Sequence, residues 1–269
     1  MTTDSTRATT AVRRAFVVVG GVLLLVGAFV AHVWADAILP GGACVVDTLD
    51  LYIGLGSAGC RIGDKVFSSF AYSPTAINLD PIPAAAIKVT PIATPGDPGF
   101  TFTAPWSAVP VETIQVDTIF YTARVLPGGQ LIDDASLTLV NSLADNGALV
   151  DVSETLCLGG GQSFSPPIPC PFSSTLVHAF DNHLSTVETT QLTDHVTFAP
   201  VGIVNVLTVV EVRNGAQFDT ASLGSFTSRF SEVPEPATLL LTGCGLAGLG
   251  VAAWRRRHQS DLRVKRKRV

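Results

Sequence analysis

Five residues between positions 178 and 195 are of the types that do acid–base or metal chemistry: His178, Asp181, His183, Asp194 and His195. If they converged, they could supply a general base for hydrolysis or the nitrogen and oxygen ligands of a cation. Their spacing argues against convergence. Positions 178 and 183 are an odd number apart, so on a regular strand their side chains leave opposite faces, and Asp181-Asn182-His183 has the composition of a polar turn. The run Gly54-Leu55-Gly56-Ser57-Ala58-Gly59 fits G-x-G-x-x-G, whose glycines let a pyrophosphate approach the backbone. That chemistry requires a strand before the run and a helix after it, whereas Cys60 and a strand-like segment follow here, so a flexible loop is expected. Neither Ser57 nor Ser163 lies in a G-x-S-x-G elbow, because Leu55 stands two residues before the first and Ser165 two residues after the second. Asp133-Asp134 adjoin a predicted turn, and without D-x-D-x-D spacing they are expected to be solvated rather than bound to Ca²⁺. The body holds 18 acidic residues, too many to single out a glycosidase pair. The expectation is therefore no catalytic residue, no metal site, no cofactor and no enzyme. The competing reading is a secreted hydrolase drawing on residues 178–195.

Cysteine and charge bound the possibilities further. Cys44, Cys60, Cys157 and Cys170 form an even set without a C-x-x-C spacing or a neighbouring histidine pair, which favours disulfides over zinc. Of the three connectivities, the local pairs Cys44 with Cys60 and Cys157 with Cys170 are favoured, since each closes a loop rich in glycine or proline. Each closure would contribute about 3 kcal/mol. Between Ile38 and Val233 those 18 acidic residues stand against Arg61, Lys65, Lys88, Arg124, Arg213 and Arg229, a net charge of −12. Such a surface repels nucleic acid, so no nucleic-acid partner is expected.

The elements that must carry these residues are mostly strands. Asp47 to Leu55 is expected as one short helix, with Leu49, Tyr52 and Ile53 on one side. Lys65–Tyr72, Ile87–Ile92, Phe100–Ala104, Thr113–Leu126, Ala135–Asn141, Ala148–Cys157, Thr175–Phe180, Val196–Phe198, Leu207–Arg213 and Phe218–Phe230 are rich in Val, Ile, Thr, Phe and Tyr. Within Thr118–Leu126, Ile119, Tyr121, Ala123 and Val125 share one face against Thr118, Thr122 and Arg124, with Phe120 the exception. Leu137 and Leu139 likewise oppose Ser136 and Thr138. The nearly continuous apolar run Val206-Leu207-Thr208-Val209-Val210 predicts a central strand buried on both faces. Asp145-Asn146-Gly147 and Asn214-Gly215 are expected to make hairpins, and Pro127-Gly128-Gly129 a chain reversal. The pattern predicts a mainly β fold, an antiparallel β-sandwich of jelly-roll-like form over residues 38–232. Were Trp106, Phe120 and Tyr121 to line one exposed sheet face, sugars could stack on them, as in a carbohydrate-binding, lectin-like module.

The two ends have a different character. Arg7, Arg13 and Arg14 precede the apolar run Ala15–Ala31, and Ala35-Asp36-Ala37 supplies small residues for signal peptidase, so residues 1–37 form a signal peptide with its helix. At the other end Val233-Pro234-Glu235-Pro236 is followed by an uncharged stretch, Ala237–Trp254, whose 18 residues span roughly 27 Å as a helix, about a bilayer's hydrocarbon core. Arg255, Arg256 and Arg257 then open a basic tail over 255–269, which stays on the cytoplasmic side of the inner membrane. Gly243, Gly245, Gly248 and Gly250 would let a partner helix approach closely. Box, span and arginine cluster in that order resemble the PEP-CTERM sorting signal over 233–269. The resemblance implies recognition and cleavage by an exosortase, a passage through the inner membrane as a single-pass intermediate, and delivery to the cell surface or extracellular matrix. There it implies a structural or binding role, with exopolysaccharide a candidate partner in a biofilm matrix. Cys44 to Tyr72, with Ser153-Glu154-Thr155-Leu156-Cys157, is similar to uncharacterised exported proteins bearing the same tail, a resemblance that implies no activity.

Overall fold

Alternation of apolar and polar residues at period two dominates the body, and the computed structural model turns it into two antiparallel sheets. The structure describes residues 38–109, 112–145, 147–159, 170, 174–183, 189–214 and 220–232. The expected signal peptide, the Pro-Glu-Pro box, the membrane helix, the basic tail, Ser163 and Gly215 lie outside these residues. Among the described residues no helix is long and apolar enough to cross a membrane.

The chain begins with β1 (Asp47–Thr48) and α1 (Leu49–Gly54), whose Leu49 and Tyr52 are buried as the helical spacing predicts. Next come β2 (Cys60–Ile62), β3 (Lys65–Ile77), β4 (Lys88–Thr94), β5 (Asp97–Ala108), β6 (Ile114–Val125) and β7 (Ile132–Ala144). The remainder comprises β8 (Leu149–Leu158), β9 (Ser174–Asn182), β10 (Thr189–Gln191), β11 (Thr193–Val201), β12 (Ile203–Arg213) and β13 (Ala221–Glu232). One sheet has the order β1-β4-β5-β13-β7-β11 and the other β10-β9-β8-β12-β6-β3-β2. Their inner faces share one apolar core. Rings from both sheets meet there: Phe67 of β3 lies 4.8 Å from Phe100 of β5 between ring centres, and Tyr121 of β6 lies 6.2 Å from Phe230 of β13. Edge-to-face and offset contacts of this kind add to the area they bury.

Strand β6 alternates as its sequence predicts, with Ile119, Tyr121 and Ala123 buried and Thr118 and Thr122 on the other face. Two expectations are corrected. Strand β12 is central, flanked by β6 and β8, yet it is not buried on both faces: Val206, Thr208 and Val210 point into the core while Leu207 and Val209 remain half-exposed. The outer face of an antiparallel sheet needs no cover, so an apolar run there packs against neighbouring side chains of its own sheet. The second correction concerns the turns. Segments 145–147 and 214–215 do not join hairpin partners, because β7 and β8, and β12 and β13, lie in different sheets. The chain does reverse at Gly128 (φ 83°), as expected, and at Gly147 (φ 98°), and both reversals carry it across the sandwich. Consecutive strands that do pair within a sheet include β2 with β3 through Gly63-Asp64, β4 with β5 through Pro95-Gly96, β8 with β9, and β9 with β10.

Both local disulfides are present. Cys44 joins Cys60, with Cα atoms 4.9 Å apart, and Cys157 joins Cys170 at 5.3 Å.

Candidate functional site

The histidine and aspartate residues of 178–195 do not converge. His178 lies on the outer face of β9, where Nε2 meets Asp151 Oδ2 at 2.6 Å and its ring packs 4.9 Å from Phe180. Asp194 reaches across from β11 to accept the backbone N–H of His178 at 2.9 Å. That bond occupies a donor on a strand edge that would otherwise be open to pairing. Asp181 points inward and is met by His183 Nε2 at 3.2 Å and Thr190 Oγ1 at 3.1 Å. His195 is exposed, opposite Ser136 in the ladder. Among the described residues no group of three or more His, Cys, Asp or Glu side chains is placed to hold a metal ion. The glycine run begins inside α1 and leads into β2, the reverse of the order a dinucleotide loop needs. Gly59, at φ 58°, sits where a Cβ would come within 2.1 Å of the Phe67 carbonyl oxygen, so its absence of a side chain serves close packing. Asp133 and Asp134 stand at the start of β7, just after the turn at 127–128, in a region of irregular register.

The aromatic residues expected on an exposed face divide. Trp106 and Tyr121 are core residues, 1% and 0% exposed, while Phe120 is half-buried on the outer face of β6. The indole of Trp106 donates from Nε1 to Asp117 Oδ2 across the sandwich at 2.7 Å, and Gln115 Nε2 donates to the same oxygen at 3.0 Å. Burial pushes the Asp117 carboxyl up in spite of these bonds.

A second buried carboxyl ties the sheets together. Glu154 of β8 accepts from Thr208 Oγ1 of β12 and from Ser228 Oγ of β13, each at 3.0 Å, and the Tyr121 hydroxyl bonds the same serine at 2.8 Å. Glu154 is fully buried, and that burial raises its carboxyl to about 7 in opposition to both hydroxyl bonds. Sealed inside the core, these groups can carry no substrate, and their role is structural.

The polar cluster that does reach the surface lies where the body ends. Lys65 of β3 is fully buried, and its Nζ is 2.5 Å from Asp64 Oδ1 and 2.6 Å from Glu232 Oε1, the last residue of β13. Asp64 Oδ2 accepts the Gln130 backbone N–H at 2.6 Å, and the Glu232 N–H is donated to the Gly96 carbonyl at 3.1 Å. Burial alone would raise the Asp64 carboxyl, but the bonds from Lys65 and Gln130 hold it below the usual range. Asp64 and Glu232 line a groove of about 490 Å³ together with Gly96, Pro98, Gly129 and Gln130.

The body is thus pinned at Glu232, and the segment that starts there decides its class. A family model described as the PEP-CTERM protein-sorting motif matches residues 232–257. This chain carries that signal. The PEP-CTERM motif marks an exported protein sorted at a membrane by an exosortase. Its first matched residue is Glu232, so signal and folded body share one position. A search of curated proteins finds no match to the chain. Among solved structures, the chain is similar to one described as TmCBM61 in complex with beta-1,4-galactotriose, with 13% identity over 60% of this chain and 88% of that one, at a TM-score of 0.29.

Sequence reasoning missed Lys65, Asp64 and Glu232. Alternation could not single out Lys65, because Val66, Phe67 and Ser68 beside it on β3 are all buried as well. It also missed a row of hydroxyls on the outer face of the other sheet. In the ladder, Thr193 of β11 stands opposite Thr138, Thr138 opposite Thr227, Thr227 opposite Thr101, and Thr101 opposite Thr90 of β4. No strand shows this pattern on its own, because the row runs across five strands.

Proposed function

We propose that this protein is a non-enzymatic component of the cell surface or extracellular matrix, whose jelly-roll-like body is delivered there by exosortase processing near Pro234-Glu235-Pro236. In this reading signal peptidase removes residues 1–37, and the body folds and oxidises outside the inner membrane. The apolar helix 237–254, with its arginine cluster, holds the intermediate until the cut is made. The observation that carries the reading is the sorting motif beginning at Glu232, the last residue of the last strand. Both disulfides agree with an oxidising destination. The test is Glu235→Ala in a host containing the exosortase: full-length protein is expected to accumulate in the membrane fraction, and release at the wild-type rate would refute the reading.

A second reading, a carbohydrate-binding body, draws its support from the threonine row. Five hydroxyls in register at about 4.8 Å spacing form a nearly uncharged polar strip, which suits a neutral polysaccharide better than a charged one. Retention on isolated matrix polysaccharide tests it. Binding that survives a combined Thr101→Val, Thr227→Val and Thr138→Val variant would remove the strip from consideration.

A further inference from the structure

We propose that Lys65 is a positioning residue for processing at the sorting motif. By clamping Glu232 it keeps the end of β13 paired, and so limits the extended chain available on the amino-terminal side of the Pro-Glu-Pro box. The inference rests on the exosortase reading above.

The argument starts from the cost of burying an ammonium group. A charged lysine in a core is tolerated only when paired and hydrogen-bonded, and removing one partner leaves the other uncompensated. The Lys65 side chain is fully buried, and its two partners are Asp64 and Glu232. Asp64 is itself held in place: the Gln130 N–H bonds its other oxygen, and any side chain at Gly129 would come within 2.3 Å of that oxygen. The lysine therefore has a fixed base and one partner that could leave, the carboxylate of Glu232. Glu232 is also opposed to Ile132 in the ladder and bonded to Gly96. Breaking the Lys65 contact removes the charged part of that fastening.

Geometry gives the clamp its consequence. Glu232 is two residues before Pro234, and the apolar stretch opens at Ala237. Five extended residues cover at most about 17 Å, and the headgroup layer takes up about 5–8 Å of that. Proteins commonly hold a peptide as an added strand, through its main-chain N–H and C=O groups. Residues 230–232 have one edge paired with β7, and the Glu232 N–H is bonded to the Gly96 carbonyl, so they are not free to be held as an extended peptide until the end of β13 opens. Cleavage then tracks the population in which the end of β13 has opened.

The experiment follows conversion of the full-length protein to its processed form by pulse–chase in a host containing the exosortase. Four chains are compared with wild type: Lys65→Met, a Gly-Ser-Gly insertion between Glu232 and Val233, the two combined, and Glu235→Ala. The insertion supplies slack without touching the body, so it decides the matter even where Lys65→Met folds poorly. Conversion is expected to rise roughly ten-fold for Lys65→Met and for the insertion, with little further gain on combining them. Val206→Ala, which loosens the core on β12 in the sheet opposite β13, serves as the comparison for a merely structural effect and is expected to lower the melting temperature without that gain. Wild-type conversion rates for the insertion, with Glu235→Ala still blocked, overturn the clamp and leave the processing reading intact. An equal gain for Val206→Ala also overturns it. Normal conversion of Glu235→Ala takes both readings down.

Discussion

Replacing Glu154 by glutamine should leave the body unchanged at acid pH and stabilise it at alkaline pH. Burial raises the Glu154 carboxyl from its ordinary 4.5 to about 7, so between those values the folded protein holds a proton that the unfolded chain has lost. Stability therefore falls as pH rises through that window, and the full cost is present above about pH 7. A shift of roughly 2.5 units at 1.36 kcal/mol each amounts to about 3 kcal/mol. The amide of E154Q resembles the protonated acid: its oxygen can accept from Thr208 Oγ1, and its N–H can donate to Ser228 Oγ, which turns to suit. The Tyr121 hydroxyl, the other group in this network, is pushed well above its usual range by burial and by the Glu154 charge, so it stays protonated throughout. Melting curves of the purified, oxidised protein should coincide for the two chains at pH 4 and separate by about 6–12 °C at pH 8, at 2–4 °C per kcal/mol for a body of this size. Asp64, whose carboxyl is lowered, contributes a dependence of opposite sign, but it is common to both chains and cancels in the difference. Parallel curves across the whole range would refute a buried, proton-holding Glu154.

Other perturbations have expected outcomes of their own. Cys44→Ser with Cys60→Ser reopens a loop of sequence separation 16 and should lower unfolding free energy by about 3 kcal/mol in denaturant titration; an unchanged midpoint would show that the bond does not constrain the unfolded chain. Gly59→Ala should abolish soluble expression, since its Cβ would meet the Phe67 carbonyl at 2.1 Å, whereas Gly56→Ala, with nothing within 4 Å, should cost only about 1 kcal/mol for its positive φ. Asp194→Ala uncovers the His178 N–H on the edge of β9 and should promote self-association visible in sedimentation velocity; a strictly monomeric variant would remove edge protection as the role of Asp194.

Much of the architecture was legible because one face of each sheet is wet. The buried positions Ile119, Tyr121 and Ala123 of β6, and Leu137 and Leu139 of β7, follow from alternation alone. Glu154 could have been found the same way, since it falls in phase with Val150, Val152 and Leu156, and Asp117 in phase with Ile119. Polarity drew attention to the wrong residues instead: His178, Asp181, His183, Asp194 and His195 are neighbours in sequence but are distributed over two sheets and both faces. Turn composition revealed where the chain reverses but not which sheet it enters next, because that choice depends on contacts far apart in sequence. The threonine row and the Lys65–Glu232 pair are products of register between distant strands, which local pattern does not contain. The sorting motif was the opposite case, contiguous and ordered, and so readable in full.

The position of β13 bears on when this molecule can become itself. It lies between β5 and β7, inside its sheet rather than at a margin, so that sheet stays split until the last strand of the body has emerged and slotted in. Pairings this remote in sequence form slowly. A nascent chain translocating from its amino terminus would spend its whole passage unfinished, and the keystone would arrive last.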